Sequence, residues 1–177
     1  MQQIKRLPML PFTVCLCLLS TNSVFADTLS CQEKYQRYTQ AQTAWQVESS
    51  EIASGLLPKN MQQIAHYRDV QLIAIKRRSA AVNTLLKVFP DQIQTWGGVN
   101  QWLDLTPEMD KDISKANKEY RTLSTTYKDL ISRPAFSNSV DFQQTFRKTV
   151  VADPAFRQLM TQFSDTVREI NSVTCKR

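Results

Sequence analysis

A chain of 177 residues holding only three glycines, Gly55, Gly97 and Gly98, cannot supply the many tight turns of a sheet protein. Apolar residues instead recur every three or four positions, the spacing that places side chains on one face of an α-helix. The first stripe takes positions 31, 35, 38, 42, 45, 49, 52 and 56, which hold Cys, Tyr, Tyr, Gln, Trp, Ser, Ile and Leu. It opens with Ser30-Cys31-Gln32-Glu33, a serine and a glutamate placed to satisfy the free amides of a helix start. Gly55 and Pro58 end it. Asn60, with Gln63 three residues on, is the expected cap of a second helix. Its stripe runs Ala65, Leu72, Ile75, Val82, Leu86 and Phe89, with Arg68 and Ser79 as polar members, and Pro90 closes it.

Thr106-Pro107 is a cap and first-turn proline for a third helix, whose Met109, Ile113, Ala116, Tyr120, Leu123, Tyr127 and Leu130 repeat without a break. After Arg133-Pro134 comes a short amphipathic piece, 140–151, with Phe142, Phe146 and Val150 on one side. Asp153-Pro154 starts the last helix, faced by Phe156, Met160, Phe163, Val167 and Ile170. The expectation is an all-α protein, an antiparallel bundle of four long helices plus a shorter one.

Residues 1–26 carry Lys5 and Arg6, a mostly apolar run over 9–19 and a Val24-Phe25-Ala26 end, the layout of an export signal cleaved between Ala26 and Asp27. The apolar run is too short to span a bilayer, so no stable membrane insertion is expected after cleavage. Cys15 and Cys17 leave with that segment. Two cysteines remain in a single domain over 27–177, Cys31 in the first turn of the first helix and Cys175 in the last turn of the last. An oxidising compartment, the periplasm or the exterior, would join them, and an even-numbered up-and-down bundle brings those two ends to one pole. The pair is read as a structural staple, since a redox or metal-binding pair usually sits close in sequence as C-x-x-C.

The formal net charge is +6, of which Lys5 and Arg6 carry two, and the basic residues are spread out apart from Lys76-Arg77-Arg78. Nucleic-acid binders show a denser basic stripe interleaved with aromatics, so no nucleic-acid partner is expected. Catalytic groups are sparse. His66 is the single histidine, too few for a zinc site without recruiting carboxylates, and no H-E-x-x-H spacing occurs. Covalent haem attachment needs C-x-x-C-H, which is absent, and Met61, Met109 and Met160 read as core filler. There is no G-x-S-x-G elbow, and Gly97-Gly98 lacks the lysine and spacing of a phosphate loop. The expectation is a non-enzymatic protein with no metal and no cofactor.

What remains is protein binding. The segment 90–105 places Trp96 and Trp102 around Gly97-Gly98, and tryptophan dominates binding hot spots. Both rings are candidates either for contact with a partner or for a cap over the open end of the core. Arg77 and Arg78 are candidates for anchoring an acidic partner, or for snorkelling at the core edge. Leu105-Thr106-Pro107-Glu108 resembles the L-T-P-E start of the LTxxQ signature of small helical periplasmic stress chaperones of the Spy and CpxP type. It does so over four residues, with Met109 where that family has glutamine. The resemblance implies a chaperone-like alternative to the first reading, an exported inhibitor or immunity-type protein that occludes another protein. A secretion or conjugation accessory role belongs with that alternative.

Overall fold

The computed structural model describes residues 29–133 and 140–176. The expected export segment, with Cys15, Cys17 and the Ala26/Asp27 junction, lies outside the described residues, as does Pro134. Among the described residues there are six α-helices: α1 (Cys31–Leu56), α2 (Met61–Val88), α3 (Pro107–Ala116), α4 (Lys118–Ile131), α5 (Val140–Thr149) and α6 (Pro154–Ser172). Two short strands, β1 (Leu29–Ser30) and β2 (Cys175–Lys176), pair in parallel with Leu29 opposite Cys175. The all-helical expectation is met.

Local chemistry starts these helices where the sequence places it. Ser30 Oγ accepts from the Glu33 amide at 3.1 Å while the Glu33 carboxylate accepts from the Ser30 amide at 2.8 Å. Thr106 Oγ1 accepts from the Met109 amide, and Asp153 Oδ1 from those of Ala155 and Phe156. These caps fill orphan donors at the first turn. Asn60 does not do so. It sits in a 3₁₀ turn, Pro58–Asn60, that runs directly into α2, and its side chain turns to Gln63 instead.

The expected third helix is broken at Asn117. This residue is extended, with φ −131° and ψ 112°. Its amide closes α3 on the Ile113 carbonyl, and its Oδ1 opens α4 by accepting from the Tyr120 amide at 3.0 Å. Its Nδ2 donates to Thr84 Oγ1 on α2 at 2.8 Å. One asparagine thus ends one helix and caps the next, held there by a bond the sequence stripe cannot reveal. Four long helices and one short one become two long helices, a 19-residue α6 and three short ones.

The packing is a row. α1 lies between α2 and α6, and α2 also packs on α4, while the described residues of α4 and α6 make no comparable contact. Two other segments cover the side this leaves open. The α2–α3 connection contributes buried Ile93, Val99, Trp102 and Leu103, which join Tyr35, Leu85, Tyr120 and Ile170 in one core cluster. At the other end Phe142 and Val150 of the α5 region join Ala53, Leu57, Ile64 and Phe156 in a second. The connection is core, not trim.

Cys31 and Cys175 form a disulfide, with Cα atoms 4.9 Å apart and a separation of 144 positions in sequence. Beside it Lys34, only 4 % exposed, donates from Nζ to the Val173 carbonyl at 2.6 Å and lies 5.8 Å from the Trp102 ring centre. An ammonium against the carbonyls that end α6 complements the negative pole of that helix. Burial lowers the Lys34 pKa.

Candidate functional site

The two tryptophans of the α2–α3 connection have opposite fates. Trp102 is 2 % exposed, stacks on Tyr35 with ring centres 5.7 Å apart, and donates from Nε1 to the Gly97 carbonyl at 3.0 Å. It is therefore a core residue, and contact with a partner is closed to it. Trp96 is 83 % exposed. Its loop is nevertheless held: the Val99 amide donates to Asn171 Oδ1 on α6 at 2.9 Å, and Ile93 and Val99 are buried on either side. A large apolar ring is displayed from a fixed platform.

The basic triplet on α2 divides as its helical positions require. Arg77 points inward and donates to Ser124 Oγ at 2.9 Å, to Asp110 Oδ1 at 2.7 Å and to the Tyr120 hydroxyl at 2.9 Å. Its guanidinium also lies over the rings of Tyr120 and Tyr127. Its acidic partner is internal, so the proposed anchoring role falls away. Arg78 donates to the Leu103 carbonyl at 3.2 Å and ties the connection to α2. Lys76 is exposed.

Asp110, Tyr120 and Arg77 form one network. The Tyr120 hydroxyl donates to Asp110, and this bond, aided by Arg77, holds the Asp110 pKa below its ordinary value. Burial, then Asp110, pushes the Tyr120 pKa up. Burial works to lower the Arg77 pKa, but its bonds to Asp110 and Tyr120 leave it raised. A carboxylate with a depressed folded pKa adds stability that is present above its unfolded pKa, near 4, and is lost as pH falls through the folded value. Asp110→Asn should therefore cost more stability near neutral pH than at about pH 2.5, as read by urea titration at both. A cost independent of pH would refute the network's ionic character.

A second feature lies between α1, α2 and α5, a groove of about 370 Å³. Here the core stripes turn polar. Ser49 of α1 and Arg68 of α2, polar members of largely apolar stripes, line it with Gln46 and Gln71. Its apolar wall is Ile64, Tyr67, Phe142 and Phe146. Tyr67 stacks on Phe142 at 5.8 Å and Phe142 meets Phe146 at 5.8 Å, so the wall is a continuous aromatic surface. In the sequence these polar interruptions belong to separate stripes, and nothing local says that the two helices set them side by side.

His66 is half-buried beside Tyr67, with ring centres 6.1 Å apart. Among the described residues no group of three or more His, Cys, Asp or Glu side chains is arranged to hold a metal ion. No described helix is long and apolar enough to cross a membrane. The Leu105-Thr106-Pro107-Glu108 segment serves as the cap and first turn of α3, which accounts for its threonine and proline locally. No known family model, curated protein or solved structure matches the chain.

Proposed function

We propose that this is a non-enzymatic binding protein of an oxidising compartment, exported to the periplasm or beyond, which occludes one other protein through the surface around Trp96. The observation that carries this reading is a ring 83 % exposed on a loop whose flanks are buried and hydrogen-bonded to α6. Exposing such a ring without a partner gains nothing for the fold, and a rigid display spares the entropy cost of ordering it on binding. The disulfide suits an oxidising location. An inhibitor or immunity-type protein is the form of this function we favour, acting one-to-one on its target.

The test is recovery of the complex from the producing cells, with wild type and Trp96→Ala as baits. The variant should keep its stability within about 0.5 kcal/mol, as surface substitutions do, and should lose a partner that wild type holds one-to-one. A partner retained at equal strength by Trp96→Ala would overturn the assignment of this surface. Suppression of aggregation of several unrelated clients, without a one-to-one complex, would favour the chaperone-like alternative. Export is tested separately by the N-terminus of the native protein, expected at Asp27.

A further inference from the structure

The groove between α1, α2 and α5 carries an inference that does not depend on Trp96. Core positions on packed helices are ordinarily apolar, since a polar group there needs a partner to offset its desolvation. Gln46 and Ser49 are half-buried on α1, yet with the exposed Gln71 of α2 they border about 370 Å³ of open space rather than packed side chains. The volume lies in the range of small-molecule sites, which combine an apolar wall with a few placed polar groups.

Charge narrows the occupant. The described lining residues include two arginines, Arg68 and Arg147, and no aspartate or glutamate. Arg68 is already held by Asp69, with Nη2 to Oδ1 at 2.8 Å. Arg147, on the last turn of α5, makes no ion pair among the described residues. It stands one turn along α5 from Gln143 and next to Phe146, so an uncompensated guanidinium borders the aromatic wall. A guanidinium recognises a carboxylate through paired N–H donors, and an aromatic wall accepts an apolar tail.

We propose that this groove binds an amphipathic carboxylate, with the acyl or arylalkyl tail against Tyr67, Phe142 and Phe146 and the acid group on Arg147. The glutamine and serine side chains opposite supply the remaining polar contacts to the head. Arg147 is exposed on α5, so its replacement leaves the core clusters intact.

The experiment uses the disulfide-bonded protein and three probes with the same ten-carbon tail, decanoate, decanol and decylammonium, titrated calorimetrically below the micellar concentrations of the two ions and the solubility limit of the alcohol. Decanoate should bind one-to-one, ahead of decanol, with decylammonium weakest. Arg147→Gln should weaken decanoate about tenfold or more and leave decanol unchanged, since a charge-assisted bond is lost and the wall is not. Ser49→Phe, which fills the groove, should abolish binding of all three, while Arg168→Gln on the far helix should change none. Thermal melts of each variant confirm folding. Equal affinity for decanoate and decanol, indifference to Arg147→Gln, or no binding of decanoate to the wild type would each overturn the proposal.

Discussion

Replacing Cys31 and Cys175 together by alanine should lower the unfolding free energy by about 4–5 kcal/mol, the largest effect expected of any change in this protein. The reason is the length of chain the bridge encloses, 144 residues of separation, which is nearly the whole described structure. In the chain-entropy account the unfolded ensemble regains that loop's freedom once the link is gone. The native contacts at the pole change little, since β1 still pairs with β2 and Lys34 still meets the Val173 carbonyl. Equilibrium urea unfolding of the oxidised wild type and the double variant measures the difference. A loss under about 1 kcal/mol would mean that the unfolded chain is already confined by residual structure.

Trp102→Ala should cost about 3–5 kcal/mol, the range for removing a large aromatic from a packed interior. Its ring fills the junction between α1 and the α2–α3 connection, stacked on Tyr35 and covered by the Lys34 ammonium. Truncation also strands the Gly97 carbonyl that Nε1 serves. Trp102→Phe separates the two parts, keeping the stack and losing about 1 kcal/mol with the hydrogen bond. Trp96→Ala, six positions away, is the matched control and should be nearly silent in the same titrations. Equal losses for the two alanine variants would show that the connection is not core after all.

That pair of tryptophans shows where reading a sequence ends. Both stood as cap or contact, and no local pattern separates two rings flanking Gly97-Gly98. What separates them is distant: Trp102 meets Tyr35 on α1, while the loop is fixed by Asn171 on α6. The basic triplet is similar. Three successive helical positions must point three ways, so one inward arginine was foreseeable. That Arg77 would find Asp110 and Tyr120 depended on how α3 and α4 lie against α2. Asn117 is the plainest case, because the four-three spacing of Ile113, Ala116 and Tyr120 passes straight through the break. The groove was half visible as Ser49 and Arg68 within apolar stripes, two faults in separate patterns with nothing to align them.

Helix identity, most helix starts and the pairing of the two cysteines were determined by the chain alone. Their causes act within about four residues; for the cysteines the reading rested on the expectation that Cys15 and Cys17 leave with an export segment. Helix order as an open row, the burial of Ile93, Val99, Trp102 and Leu103 in the α2–α3 connection, and the choice of displayed ring were decided only by tertiary packing. Each of those depends on which apolar faces meet, and a stripe records that a face must be covered without recording by what.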